Sequence, residues 1–213
     1  MAELIRKQRE ELLREKIVSV ALKAFLKEGI RAITMDDVAS LMGISKRTLY
    51  ELFPDKEQLV LSCVELHNAQ RRIEAEPVFK KCENVVDVLL CFYRFMAEDL
   101  YATNPLFFTD MHRYPSVQKL IRERHANHCN ESIEFLNRGV KEGFFRDDVN
   151  LEISHELVDH QFRLLMQGEI SQKYSFLEVF ESIFFTFIRG TATPKGQQIL
   201  ENFILNHRKK NEE

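Results

Sequence analysis

Apolar residues recur along this 213-residue chain at steps of three and four, the period of a helix face, and the runs are interrupted where helices should stop. Ile17, Val20, Ala21, Ala24 and Phe25 form the first such stripe, and Gly29 stands just past it. The spacing predicts a helix over about 9–28 with a glycine at its C-terminal end. Thr34 then precedes Met35-Asp36-Asp37-Val38-Ala39-Ser40-Leu41-Met42, a short helix with a capping hydroxyl and two carboxylates in its first turn, where the helix dipole favours them. Gly43 ends it. Ser45 caps a second short helix over 46–52, and Pro54-Asp55 breaks the chain before a long amphipathic helix from Lys56 towards Glu76. Beyond Pro77, helical spacing continues over about 84–102, 105–112, 116–142, 151–171, 176–190 and 195–209. The fold class is therefore all-α: an N-terminal three-helix domain over 1–55, and a larger helical domain over 56–213 joined to it without a flexible linker.

Composition narrows the setting. Seven glycines and five prolines are sparse, as long helices require, and the four cysteines lie far apart with no CxxC pair, which argues against a zinc ribbon or a disulfide framework. The first sixteen residues alternate charges of both signs, unlike a secretory signal, and no apolar run approaches the roughly 20 residues that span a bilayer. These features point to a soluble cytoplasmic protein. The formal charge of −3 is unevenly spread: residues 1–56 hold 11 Lys/Arg against 9 Asp/Glu, and residues 57–213 hold 19 against 24. That bias alone is a weak sign of a nucleic-acid partner.

Placement of the charges says more. Val38, Ala39, Leu41 and Met42 give the first short helix an apolar face, which Ile44, Leu49 and Phe53 continue through the turn, and two short helices about a glycine turn make a helix-turn-helix. In such a unit the second helix enters the major groove with its N-terminal residues at the base edges. Here those residues are Ser45, Lys46, Arg47 and Thr48, all hydrogen-bond donors; Lys and Arg suit guanine O6 and N7, and hydroxyls suit phosphate or either base. Tyr50 and Lys56 are placed to hold the phosphate backbone, as is the helix N-terminus at Thr34. Taken singly, Lys46, Arg47 and Lys56 read equally well as solvated surface, and a hydroxyl before a helix as a simple cap.

The spacing of the first helix with Thr34, Val38-Ala39, Gly43-Ile44-Ser45, Thr48-Leu49-Tyr50, Phe53 and Lys56-Glu57-Gln58-Leu59 resembles the TetR family of bacterial one-component transcriptional regulators over the first quarter of the chain. The resemblance implies base or phosphate contacts from Ser45, Lys46, Arg47, Thr48 and Tyr50, and phosphate contacts from Thr34 and Lys56. Glu51 departs from the pattern, because a carboxylate near phosphate is repulsive unless it accepts from cytosine N4. Arg6, Lys7, Arg9 and Arg14 are interleaved with glutamates and read as a solvated face with at most secondary contacts. The implied function is a ligand-responsive regulator, a repressor that binds a palindromic operator on double-stranded DNA as a homodimer.

The larger part carries vaguer signals. In 176–190, Phe176, Val179, Phe180, Ile183 and Phe187 make one stripe, and Leu177, Phe184 and Ile188 another. One face for the chain's own core and one for a partner subunit would explain both, with 151–171 as neighbour; the alternative is that both faces are core. The dimer interface expected on the first reading comprises Ile153, Leu157, Leu164, Phe180, Phe184 and Ile188. Phe92, Phe95, Met96, Phe107, Phe108, His112, Phe135, Phe162 and Met166 are candidates to line a cavity for an apolar small-molecule effector, although Phe and Met at helical spacing are most often core. His125 and His128 share a face and read as surface or satisfied core ahead of pocket residues or a weak metal pair, whereas His155 and His160 fall about 140° apart round a helix and cannot chelate together. No metal site, cofactor or catalytic set is expected. Two competing functions are a DNA-binding dimer without a ligand and a small helical-bundle enzyme, the latter lacking any nucleophile, paired carboxylates or phosphate loop.

Overall fold

The computed structural model describes residues 1–168, 170 and 173–211, with side chains except at 2, 125–130 and 207–211. The described residues form ten α-helices: α1 Ala2–Glu28, α2 Met35–Met42, α3 Lys46–Leu52, α4 Lys56–Phe79, α5 Val85–Ala102, α6 Pro105–Met111, α7 Pro115–Lys141, α8 Leu151–Gln167, α9 Phe176–Thr191 and α10 Pro194–Asn211. The β-type pairing among them is an isolated bridge between Phe145 and Ala192. None of the helices is long and apolar enough to cross a membrane.

Two helices have an end four or more residues from where the apolar pattern predicts it. α1 starts at Ala2 rather than near Arg9, because residues 2–16 are strong helix formers without Gly or Pro, and Arg6 Nε donates to Glu10 one turn on at 2.9 Å. Such a segment needs no buried face to be helical, so hydrophobic periodicity misses it. α8 stops at Gln167, four residues early, where Gly168 takes the left-handed conformation at φ 82°.

Backbone packing divides the chain into two compact units: Met1–Ile73 with Thr103–Arg122, and Glu74–Ala102 with the residues from Glu123 onward. The first extends beyond the three-helix domain expected over 1–55. Its core comprises Ile17, Ala21 and Phe25 of α1, Val38 and Ala39 of α2, Leu49 of α3, Phe53, and Leu59, Val60 and Cys63 of α4, all buried, with α1 packed on α2 and α2 on α3. α6 is fastened to the end of α1: Asn104 N donates to Leu26 O at 2.8 Å, Asn104 Nδ2 to Lys27 O at 3.1 Å, and Arg31 N to the Asp110 carboxylate at 2.8 Å. A side chain at Gly29 would meet Leu106 Cβ at 2.9 Å, and φ is 86°, so both space and backbone require glycine there.

In the second unit α8 and α9 pack as a helical hairpin, and α5 and α10 lie against α9. Its centre is aromatic: the Tyr93 ring lies 4.8 to 6.0 Å from those of Phe180, Phe184, Phe185 and Phe203, and its hydroxyl donates to Glu181 at 2.5 Å. Burial, followed by the Glu181 carboxylate, pushes the Tyr93 hydroxyl far above its ordinary range, so it remains a donor. Ser175 and Glu178 form a reciprocal capping box at the start of α9.

Candidate nucleic-acid interface

The α2–turn–α3 unit is held by local chemistry before any packing is counted. The Thr34 hydroxyl accepts from Asp37 N at 3.1 Å, while the Asp37 carboxylate accepts from Thr34 N at 2.8 Å and from its hydroxyl at 2.6 Å. Those bonds hold the Asp37 carboxyl below its ordinary range. Gly43 supplies the left-handed residue of the turn at φ 64°, with open space around it, so its need is conformational only. Ser45 accepts from Thr48 N at 3.1 Å, and the two hydroxyls pair at 2.8 Å. Leu49 and Phe53 are fully buried beneath α3.

This frame turns Lys46, Arg47 and Tyr50 outward. The Lys46 and Arg47 side chains are 65% and 89% exposed, and Tyr50 is exposed as well. Each cation rests on an internal carboxylate: Lys46 Nζ on Asp36 at 2.5 Å and Arg47 Nε on Glu51 at 2.9 Å. The Asp36 bond keeps the Lys46 ammonium charged above its ordinary range. Exposed pairs of this kind contribute little and are screened by salt, so a phosphate or base edge can displace the carboxylate. The Arg47 pairing also accounts for Glu51, the residue that departs from the family pattern, as an i, i+4 partner that orients the guanidinium.

Other residues of the expected set stand differently. Thr34 and Ser45 use their hydroxyls as helix caps, and the Thr48 hydroxyl pairs with that of Ser45. Lys56 is turned inward: its ammonium donates to Ile30 O at 2.6 Å, lies 5.9 Å from the Phe25 ring, and is shifted below its ordinary range by burial. The first residue of α4 thus closes the α1–α2 loop, a role its place after Pro54-Asp55 does not reveal. Arg14, read from its neighbours as solvated, instead donates to Leu52 O at 2.7 Å and stacks 4.2 Å from the Phe53 ring. It ties α1 to the C-terminal end of α3, where the helix dipole welcomes a cation. The signal was present as spacing from α1's buried stripe, since Arg14 lies one turn before Ile17 and Val18.

The expected cavity residues are split between the units. Phe107, Phe108 and His112 belong to the first, where Phe107 packs edge-on against His67 at 5.5 Å and burial pushes the His112 imidazole below its ordinary range. Phe92, Phe95, Met96, Phe135, Phe162 and Met166 belong to the second. There Phe162 meets Phe180 at 5.5 Å and Phe92 meets Phe184 at 6.3 Å, on the edge of the Tyr93 cluster. A groove of about 750 Å³ beside α9 is lined by other residues, among them Tyr174, Ser182, Phe185, Arg189 and Ile204.

The expected interface set divides too. Ile153 and Leu157 are exposed on α8 and Leu164 is half-buried, but Phe180, Phe184 and Ile188 are buried within the chain, at 2%, 4% and 0% exposure. Those three are core of the second unit and present no surface to a partner; the apolar stripes of α9 pack largely inward because α5, α8 and α10 surround it. His125 and His128 lie outside the described side chains. Among the described residues no group of three or more His, Cys, Asp or Glu converges as a metal site.

Comparison with known proteins places this geometry. Residues 17–63 match the family model described as bacterial regulatory proteins, tetR family. The chain is 22% identical over 151 residues to the HTH-type transcriptional repressor KstR2 of Mycobacterium tuberculosis, covering 68% of this chain and 75% of that protein. Among solved structures it is similar to a putative transcriptional regulator from Saccharomonospora viridis in complex with choline, with a TM-score of 0.66 at 15% identity over 84% of this chain and 97% of that one. It is also similar to RolR in complex with resorcinol, with a TM-score of 0.63 at 14% identity over 92% and 95%.

Proposed function

Because the chain belongs to the TetR family of bacterial regulatory proteins, we propose that it is a ligand-responsive repressor that binds a palindromic operator as a homodimer. The observation that carries this reading is the outward face of α3, where Lys46, Arg47 and Tyr50 project from a doubly capped frame whose other residues are occupied in holding it. Arg47 is assigned to a base edge, with Glu51 orienting it, and Lys46 to phosphate. Residues 1–55 act as the reading head and 56–213 as the ligand-binding and dimerisation part. The dimer face is assigned to the exposed side of α8, at Ile153, Leu157 and Leu164. Two recognition helices are needed because half-sites in such operators lie about 34 Å apart.

A small-molecule effector is supported by analogy with the choline and resorcinol complexes of the structural neighbours. Its site is assigned to the phenylalanine and methionine residues of the second unit, Phe92, Phe95, Met96, Phe135, Phe162 and Met166, and its chemistry to a largely apolar molecule. The testing experiment is capture of genomic fragments by the purified chain, followed by sequencing. Enrichment of a two-fold symmetric sequence, lost with Arg47→Ala, supports the proposal; uniform recovery of all fragments by both proteins rejects it.

A further inference from the structure

The turn between α4 and α5 brings together two of the cysteines that sequence spacing sets apart. Cys82 Sγ lies 3.1 Å from Cys91 Sγ, nine residues on and in the second turn of α5. Both are half-buried at the edge of a groove of about 470 Å³, whose lining includes Lys81, Glu83, Asp87 and Arg94, with Phe203 of α10 beneath the Arg94 guanidinium at 4.7 Å. Cys63 differs from them. It is fully buried, its thiol donates to Val18 O at 3.5 Å, and burial pushes it well above the ordinary thiol range. Inert and reactive cysteines differ in just this way, by access and by what stabilises the thiolate.

We infer that Cys82 and Cys91 form a thiol-oxidation site, closing to an intramolecular disulfide when the groove admits a small hydroperoxide. The bond requires a sulfur–sulfur distance near 2.05 Å, so the pair must close by about 1 Å. Cys82 sits in a turn and can make that movement, while Cys91 is fixed in its helix. The roles follow from the hydrogen bond. The single Cys82 S–H donates to Cys91 Sγ at 3.1 Å or to Val78 O at 3.7 Å, and burial together with the neighbouring Cys91 sulfur pushes that thiol up to about 12, so Cys82 keeps its proton while Cys91 reacts first. Cys91 is the attacking sulfur. Its Sγ attacks one oxygen of hydrogen peroxide, the O–O bond breaks, and the sulfur is oxidised to a sulfenic acid as the thiol proton leaves with hydroxide as water. Cys82 Sγ then attacks the Cys91 sulfur, the S–O bond breaks, and hydroxide takes the Cys82 proton as a second water. Two thiols and one peroxide become one disulfide and two waters. The product ties the end of α4 to α5.

The test uses the full chain and hydrogen peroxide, read by alkylation and peptide mass mapping, which does not depend on whether the chain binds DNA. Expected is a linked Cys82–Cys91 peptide pair lighter by two hydrogens, reversed by dithiothreitol, with helical content unchanged. In Cys82→Ser the Cys91 sulfenic acid should persist and be trapped by dimedone. In Cys91→Ser the rate of Cys82 oxidation should fall at least tenfold. Cys82 and Cys91 both remaining open to alkylation after treatment, or either one linked to Cys63, Cys129 or a second chain, would overturn the assignment.

Discussion

Replacing Lys56 with methionine separates a structural lysine from a DNA-binding one. The substitution keeps the apolar stem over Phe25 and removes the ammonium that donates to Ile30 O at 2.6 Å. A hydrogen bond from a charged group contributes about 1.5–3 kcal/mol, reduced here because Lys56 is only half-buried, which leaves a loss of about 1–2 kcal/mol. For a chain of this size each kcal/mol moves the melting temperature by about 2–4 °C, so Lys56→Met should melt about 2–8 °C lower. It should leave the salt dependence of operator binding unchanged. Lys46→Met should do the opposite, sparing the melting temperature and reducing the slope of log affinity against log salt by about 0.9 per subunit, the effect of one lost phosphate contact. Calorimetry and fluorescence-anisotropy titrations at several salt concentrations measure both. A Lys56→Met protein with unchanged stability and a shallower salt slope would refute the inward placement and return Lys56 to the phosphate backbone.

Arg47→Ala should weaken operator binding by about 1–3 kcal/mol and relax preference at one base pair per half-site, read by competition among single-base operator variants. Leu157→Glu should yield a monomer in sedimentation with helical content intact, whereas Phe184→Glu should unfold the second unit by burying an unpaired charge; dimeric Leu157→Glu would remove α8 from the interface. The Asp37 carboxyl is lowered in the folded chain, so its contribution to stability is complete above the ordinary aspartate value of about 3.9 and is lost as pH falls through the lowered value. Asp37→Ala should therefore be less stable at neutral pH and lose less on acidification, as followed by circular dichroism. An effector with tenfold preference for the form that does not bind DNA shifts that equilibrium by about 1.4 kcal/mol per site, and operator must weaken its binding by the same factor; equal ligand affinity with and without operator would show the bound molecule is no inducer.

Most of the fold was readable because its determinants are local. Thr34 with Asp37, Gly43, Ser45 and Pro54-Asp55 mark helix ends through capping and backbone constraints that act over a few residues. The outward face of α3 was readable for the same reason, since a seven-residue helix with Leu49 inward fixes where Lys46 and Arg47 must lie. What escaped depends on partners distant in sequence. Lys56 reaches Ile30, Arg14 reaches Leu52 and Asp110 reaches Arg31, separations of 26, 38 and 79 residues that no periodicity encodes. The second stripe of α9 was ambiguous for a related reason: an apolar face shows that something covers it, not whether the cover is the same chain. The Cys82–Cys91 pair was hidden because the turn that joins them brings a loop residue beside a helical one.

The division of labour within α3 bears on how such a protein changes over generations. Ser45, Thr48 and Leu49 carry the cap and the core, while Lys46, Arg47 and Tyr50 lie outside both. Replacing any of the latter three alters the outward surface of α3 at the cost of an exposed ion pair at most, and leaves the cap and the buried packing in place. With Arg47 at a base edge and Lys46 at phosphate, as proposed, operator preference would be decoupled from foldability: a duplicated copy could drift to a new target sequence through substitution at Arg47 without first acquiring stabilising changes elsewhere. On the same assignment residue 47 is the place to randomise when a variant with a different operator is sought, with Lys46 and Tyr50 kept for affinity.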